Sequence, residues 1–407
     1  MGTETRGIVI WGAGRIGRGF VADLYSHAGY RITFVDADMN LVSGLREKGS
    51  YLLLHKYSDG KERRTQIKGF EVLHTEETDS ISRVMHRISV MAVSVFPQHF
   101  ENVAQNLARL ICERKKAGIF EPLNVLLCAN LYEAGKIMDG KIRSCLDRKC
   151  LPYYEKHVGI SQCIVIRMAV PPLEKELAED EWVVVTNGYP ELIADGAAWK
   201  GDPPDVERIR MAENISAVEE RKLYSYNMLH ALYAYLGYRR GLETVYDCTR
   251  DSEVQKTAEG ALDEVMRALA KKWGTDNEDM REWRDNVLKN MANPSLHDEL
   301  ERVGADPVRK LARNDRLTGA ALLCLQNGVE PQNLARAIAA GILYLNERDE
   351  KSVEIAQNLQ KKGTWKTVEE FCGINDFPVL VRMICEESEK LTCAENPGFR
   401  GTEGEKE

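Results

Sequence analysis

The chain has 407 residues, 43% of them hydrophobic and 29% charged, with a formal net charge of -8. That length leaves room for two or three domains with sizeable cores, and the composition is ordinary for a soluble globular protein. An acidic chain without a basic stripe argues against nucleic acid as the partner. The absence of an apolar run of about 18 residues argues against a membrane-spanning helix.

Met1 to Arg6 lead directly into an apolar run, so no signal peptide is expected and the cytoplasm is the expected location. Gly7-Ile8-Val9-Ile10-Trp11 predicts a buried strand, with further strands over 31–35, 88–93 and 124–128. Such runs separated by helical stretches predict an α/β Rossmann domain with a doubly wound, mostly parallel sheet. Between the second and third runs, 51–55 and 65–68 flank Ser58-Asp59-Gly60-Lys61. The Asp-Gly pair predicts a hairpin inserted in the sheet order. Segments 163–166 and 182–185 are also strand-like.

From about Pro204 the texture changes. Helices are predicted over 206–236, 254–272, 281–291, 317–325, 331–344 and 353–361, punctuated by Pro294, Pro307, Gly328 and Pro378. The expected organisation is a dinucleotide-binding domain over 1-203, an all-α domain over 204-395 and a disordered polar tail over 396-407. The ten cysteines contain no C-x-x-C pair, so no metal site is expected. Most are expected to be buried as small hydrophobes in a reducing compartment.

Gly12-Ala13-Gly14-Arg15-Ile16-Gly17 matches G-x-G-x-x-G between a strand and a helix, the context in which the pattern carries meaning. Gly12 permits the tight turn, Gly14 lets the backbone approach a pyrophosphate, and Gly17 lets the helix pack on the strand. The helix N-terminus supplies N–H donors and a positive dipole end. Arg15 and Ile16, within the loop, are counted with the cofactor-binding residues. Asp36 ends the second strand, 19 positions after Gly17. A carboxylate there accepts ribose hydroxyls and repels the extra phosphate of NADP, so NAD is the expected cofactor. Asp38 competes for that role. Ser94, at the end of the third run, is a further cofactor candidate, with a plain strand-end serine as the alternative.

Glu220-Arg221-Lys222-Leu223-Tyr224-Ser225-Tyr226-Asn227-Met228-Leu229-His230 lies on a predicted helix. At about 100° per residue from Lys222, Asn227 falls near ~140° and His230 near ~80°, on one side. Oxidising an alcohol without a metal requires a proton acceptor, and a desolvated lysine can serve. Amide N–H groups can hold a developing oxyanion, and an imidazole can orient a polyol.

The stretch Gly12 to Phe20, the Lys222/Asn227/His230 helix, the segment 231–238, Asn293-Pro294, and Arg302 to Leu311 together resemble the polyol-specific long-chain (mannitol) dehydrogenase family, in order from about residue 7 to about residue 380. The resemblance implies a metal-independent, NAD-dependent enzyme with a Rossmann domain followed by a helical catalytic domain. It implies Lys222 as general base, Asn227 and Asn130 as oxyanion donors, and His230 as a substrate contact. Arg309 and Lys310 are candidate substrate cations, with helix-capping or interface roles as the alternative. The implied reaction interconverts a hexitol phosphate and its ketose phosphate, with mannitol 1-phosphate and fructose 6-phosphate as the pair. The alternatives are the same chemistry on an unphosphorylated polyol or sugar acid, and a NAD-binding regulator with a vestigial site. The expected partner is a small sugar alcohol or ketose, and the chain is expected to be a monomer or a homodimer. Three positions depart from the family pattern: Ala129 and Ile166 stand where it has acids, and Asn290 where it has arginine.

Overall fold

The structure is a computed structural model that describes residues 6–294 and 296–395, so the expected tail at 396-407 lies outside the described residues. The chain divides into two compact units, Met1–Glu219 and Glu220–Glu407. The first is built on β1 (Gly7–Trp11), β2 (Arg31–Asp36), β3 (Ser50–Lys56), β4 (Glu62–Lys68), β5 (Glu71–His74), β6 (Val90–Val93), β7 (Leu123–Leu127), β8 (Val158–Ile164), β9 (Ala169–Val170), β10 (Val184–Thr186), β11 (Leu192–Asp195) and β12 (Ile209–Ala212).

Eight of these strands form one sheet in the order β12-β11-β8-β7-β6-β1-β2-β5. From β5 to β8 every pairing is parallel. β11 runs antiparallel to β8, and β12 parallel to β11. Alternation along the strands builds two cores. Ile8, Ile10 and Phe34 enter one, while Val9, Trp11 and Val35 enter the other. A parallel sheet covered on both faces needs strands apolar on both sides, which is why the central strands are legible as continuous apolar runs.

The hairpin forms as the Asp-Gly signal predicts, with β3 and β4 paired from Ser50↔Lys68 to Lys56↔Glu62 and Gly60 at φ 80° in the turn. It does not enter the main sheet. It joins β10 and β9 in a separate sheet of order β4-β3-β10-β9. The strand beside β2 is β5, whose four residues are too short to stand out from the sequence. β8 starts five residues before the apolar run that signals it. Every residue from Val158 to Ile164 is buried, including Ser161 and Gln162, which interrupt the apolar pattern. Their polar atoms are satisfied internally: Ser161 donates to the Asp195 carbonyl at 2.8 Å, and the Gln162 side-chain oxygen accepts from the Gly135 N–H at 2.8 Å.

The start of the expected helix at 206–236 needs correction. Residues 209–212 form β12, so the main sheet continues past 203. The alternation of Ile209, Arg210, Met211 and Ala212 is a period-two signal, not a helical one. The helix begins at Ile215, with the Asn214 side chain accepting from the Ala217 N–H at 3.2 Å.

The second unit is helical, and among its described residues strand pairing is limited to one bridge, Thr244↔Glu299. Helix Met228–Arg239 is buried from Met228 to Gly237 apart from His230. A helix apolar on nearly every side belongs in the middle of a bundle. Helices Ser252–Trp273, Leu300–Gly304 and Gln332–Ile342 pack around it. Among the cysteines, Cys112 and Cys150 are disulfide-bonded with Cα atoms 5.7 Å apart, a pairing the spacing does not reveal. Cys128, Cys163, Cys248, Cys324 and Cys372 are buried thiols, in line with the sequence reading.

Candidate active site

In the first unit the glycine loop closes the end of β1. Gly12 has φ 99°, a region that disfavours side chains, and a Cβ there would lie 2.7 Å from the Ser94 carbonyl. A Cβ on Gly17 would lie 2.1 Å from the Gly12 carbonyl, so helix and strand meet too closely for any side chain. Gly14 differs, because a Cβ there would meet nothing within 4 Å. Its glycine is not required by protein packing, which fits a backbone surface kept bare for a phosphate. Arg15 is exposed, whereas Ile16 packs against the core beneath the loop.

Asp36 is tied to this loop. One carboxylate oxygen accepts from the Ala13 N–H at 2.6 Å and the other from the Asp38 N–H at 3.0 Å. Asp38 is committed elsewhere, capping helix Met39–Lys48 by accepting from Asn40 and Leu41. Of the two acids, Asp36 is the one tied to the glycine loop, while Asp38 caps a helix. Ser94 donates its hydroxyl to the Gly12 carbonyl at 2.8 Å, so it braces the loop. Arg18, absent from the sequence expectations, is a second brace. Buried within the helix, it donates to the Ala13 carbonyl at 2.6 Å and the Trp182 carbonyl at 2.5 Å. Its position in Gly17-Arg18-Gly19-Phe20 is the available signal. Asn130 is exposed in the loop that follows β7.

Arg167, beside the departure at Ile166, is also buried. It donates to Asp23 at 2.6 Å and to the carbonyls of Gly19 and Tyr189. Asp23, although buried, is held well below the usual carboxylate range by hydrogen bonds from His55 and Arg167 and by the Arg167 charge, which outweigh desolvation. The acid that neutralises this arginine is therefore Asp23, not a neighbour in sequence.

In the second unit the helix carrying Lys222, Asn227 and His230 is not regular. Residues Leu223–Asn227 form a π-helical turn, in which the Met228 N–H donates to the Leu223 carbonyl five residues back. Such turns recur at functional positions. Asn227 is buried, and the His230 side chain is 18% exposed. His230 Nε2 lies 3.5 Å from Asp298 Oδ2. Burial nonetheless pushes the imidazole down to about 3, helped by the charges of Arg302, Arg316, Lys222 and Lys310. His230 is thus a neutral hydrogen-bonding group at any physiological pH.

The structure separates the two candidate cations at 309 and 310. Arg309 is half-exposed and pairs with Asp306 at 3.4 Å. Lys310 is 5% exposed, and burial, reinforced by Arg316 and Arg309, pushes its amine down to about 7. Arg316 is buried as well and donates to Asp315 at 2.7 Å, while Arg302 pairs with Asp298. Arg302 and Arg316 were not singled out in the sequence. Arg302 opens the Arg302 to Leu311 motif, and Arg316 follows it in a polar turn that carries no recognisable spacing.

Two family models match the chain: the mannitol dehydrogenase Rossmann domain over residues 6–208 and the mannitol dehydrogenase C-terminal domain over residues 214–391. Among solved structures, a D-sorbitol dehydrogenase in substrate-free form superposes with a TM-score of 0.80 at 16% identity, covering 97% of this chain and 94% of that one. Pseudomonas fluorescens mannitol 2-dehydrogenase, in a ternary complex with NAD and D-mannitol, superposes with a TM-score of 0.75 at 17% identity, covering 96% and 92%. At these identities the likeness is one of fold.

Proposed function

The chain belongs to the mannitol dehydrogenase family, and from that premise we propose that it interconverts a phosphorylated hexitol and its ketose phosphate, as a mannitol-1-phosphate 5-dehydrogenase does with mannitol 1-phosphate and fructose 6-phosphate. It is an oxidoreductase acting on the CH–OH group of a polyol, with NAD as cofactor. The bare Gly14 backbone and the Asp36 carboxylate are the features that suit NAD. When bound, NAD supplies the hydride acceptor.

In the oxidation direction the Lys222 amine takes the proton from the substrate hydroxyl. The side-chain amide of Asn227 donates to the oxygen as negative charge develops on it, and Asn130 is assigned the second donor. Amides suit this task because they stabilise the oxyanion without titrating. Neutral His230 hydrogen-bonds a neighbouring hydroxyl and orients the chain of the polyol.

The observation that carries the phosphorylated substrate is charge. Lys222, Arg302, Lys310 and Arg316 all act electrostatically on His230. Asp298 beside His230 and Asp315 beside Arg316 offset part of this charge, and a substrate phosphate would offset the rest. A second reading rests on a specific counter-observation: Arg302 and Arg316 already hold Asp298 and Asp315, which leaves less charge for a phosphate and suits an unphosphorylated polyol or a sugar acid. NADH consumption by the purified protein with fructose 6-phosphate, beside fructose and keto-uronates, separates the two. Turnover confined to fructose 6-phosphate supports the first reading. Turnover confined to an unphosphorylated sugar moves the substrate and keeps the chemistry.

A further inference from the structure

The π-helical turn carries the inference furthest. In a regular α-helix of 3.6 residues per turn, residues five apart lie about 140° apart around the axis. A π-turn closes its hydrogen bond across five residues, so residues five apart come roughly into line. Lys222 and Asn227 are five apart and flank or end this turn. His230 follows three residues later on the resumed α-helix, which returns it to the same side. The extra residue therefore narrows the arc over which the three groups lie, which a regular helix would spread across about 140° of one side.

An i→i+5 turn gives up regular helical bonding and needs an outside hold. That hold is visible on helix Asn277–Met291. The Trp283 indole N–H donates to the Ser225 hydroxyl at 3.0 Å, in the middle of the turn. Ser225 is fully buried and passes its own proton to the Arg221 carbonyl. The Arg221 guanidinium lies over the Trp283 ring at 4.0 Å, and Tyr226 meets the same ring edge-on at 5.6 Å. Seven residues along the same helix, Asn290 donates to the Tyr226 hydroxyl at 2.9 Å. Positions seven apart share a helix face, so one face of this helix grips both sides of the turn.

We propose that Trp283 is a positioning residue, which acts through Ser225 to hold the π-helical turn that aligns Lys222 with Asn227. The inference rests on the proposed roles of those two residues. Trp283→Phe keeps an aromatic ring for Arg221 and Tyr226 while removing the N–H donor and some ring area, and Ser225→Ala removes the acceptor with little change of volume. Each variant is expected to lose roughly tenfold in kcat, equivalent to about 1.4 kcal/mol of barrier. KM and NADH affinity are expected to stay within about twofold. The double variant is expected to be no worse than either single one, because both act through one bond. Lys222→Ala serves as the control for the underlying reading. If Lys222→Ala is inactive while Trp283→Phe and Ser225→Ala turn over at the parental rate, this inference falls alone. Losses that multiply in the double variant, or that appear in KM and not in kcat, also overturn it. If Lys222→Ala remains active, the lysine mechanism itself falls.

Discussion

Lys310 offers a quantitative test of the site's electrostatics. Its amine is lowered from an ordinary 10.5 to about 7, with burial as the largest cause and Arg316 and Arg309 as the next. Because the folded value lies below the unfolded one, the unfolded chain binds more protons between those limits, and stability contributed by this group rises with pH across that window. The penalty is full below pH 7 and is gone near 10.5. At neutral pH it corresponds to roughly 4 kcal/mol, taking about 1.4 kcal/mol for each factor of ten. Lys310→Met removes the charge while keeping the length of the side chain. The variant is expected to be more stable than the parent by a few kcal/mol at neutral pH, with the advantage shrinking steadily towards about pH 10, and to lose most of its turnover. Urea unfolding of both proteins across that pH range measures the difference. The packing change is independent of pH, so only the slope is diagnostic. A stability difference that stays flat with pH refutes the reasoning, whatever its size.

If a phosphate is bound, KM for the phosphorylated ketose is expected to rise up to tenfold per pH increment above about 7, as Lys310 loses its proton; a KM flat to pH 9 in steady-state assays speaks against a phosphate on this lysine. The glycines of the loop are expected to part company. Gly14→Ala should fold normally and bind NADH more weakly, because its Cβ meets no protein atom. Gly17→Ala should lower the melting temperature as well, since overpacking of this kind costs about 1–3 kcal/mol; equal thermal stability of the two variants contradicts this. Asp36→Ala is expected to narrow the preference for NAD over NADP by at least about tenfold, a factor worth about 1.4 kcal/mol, and to weaken both because the Ala13 N–H loses its acceptor. Titration with the two cofactors measures the ratio.

How much of this was legible in the sequence depended on how each signal is written. The central strands could be read because burial on both faces leaves an uninterrupted apolar run. β8 was half-missed because Ser161 and Gln162 find partners inside the fold, a compensation no local window shows. β12 was read as helix because its alternation is four residues long and runs into a true helix. In the site, Gly12, Gly14, Gly17 and Asp36 announced themselves by spacing, since their jobs are done within one strand–turn–helix unit. Arg18 and Trp283 did not, because each bonds residues distant in the chain, and Arg316 did not because the turn that holds it has no recognisable spacing. The π-helical turn was invisible for a related reason. The side chains that bond it lie on helix Asn277–Met291, and a periodicity of 3.6 assumes no inserted residue.

The three departures from the family pattern bear on the substrate through the same reasoning. Ala129 packs against a core cluster, and Ile166 is buried, so both former acid positions serve packing here. Asn290 is engaged with Tyr226 and the Asn286 carbonyl, so the former arginine position serves the grip on the π-helical turn. Relative to the family pattern the chain has lost two negative charges and one positive. At Ile166 the balance is restored, because Asp23 pairs with the neighbouring Arg167 at 2.6 Å. What favours an anionic substrate is instead Lys310, a buried lysine near its titration point that is costly to keep for a neutral sugar. An anionic substrate on this lysine would supply a counter-charge beyond those of Asp306 and Asp315, draw Lys310 back to its protonated form and offset the cost of burying it. Lys310, rather than the departures, therefore carries the proposal of an anionic sugar, with the carboxylate of a uronate as the competitor that the turnover comparison must exclude.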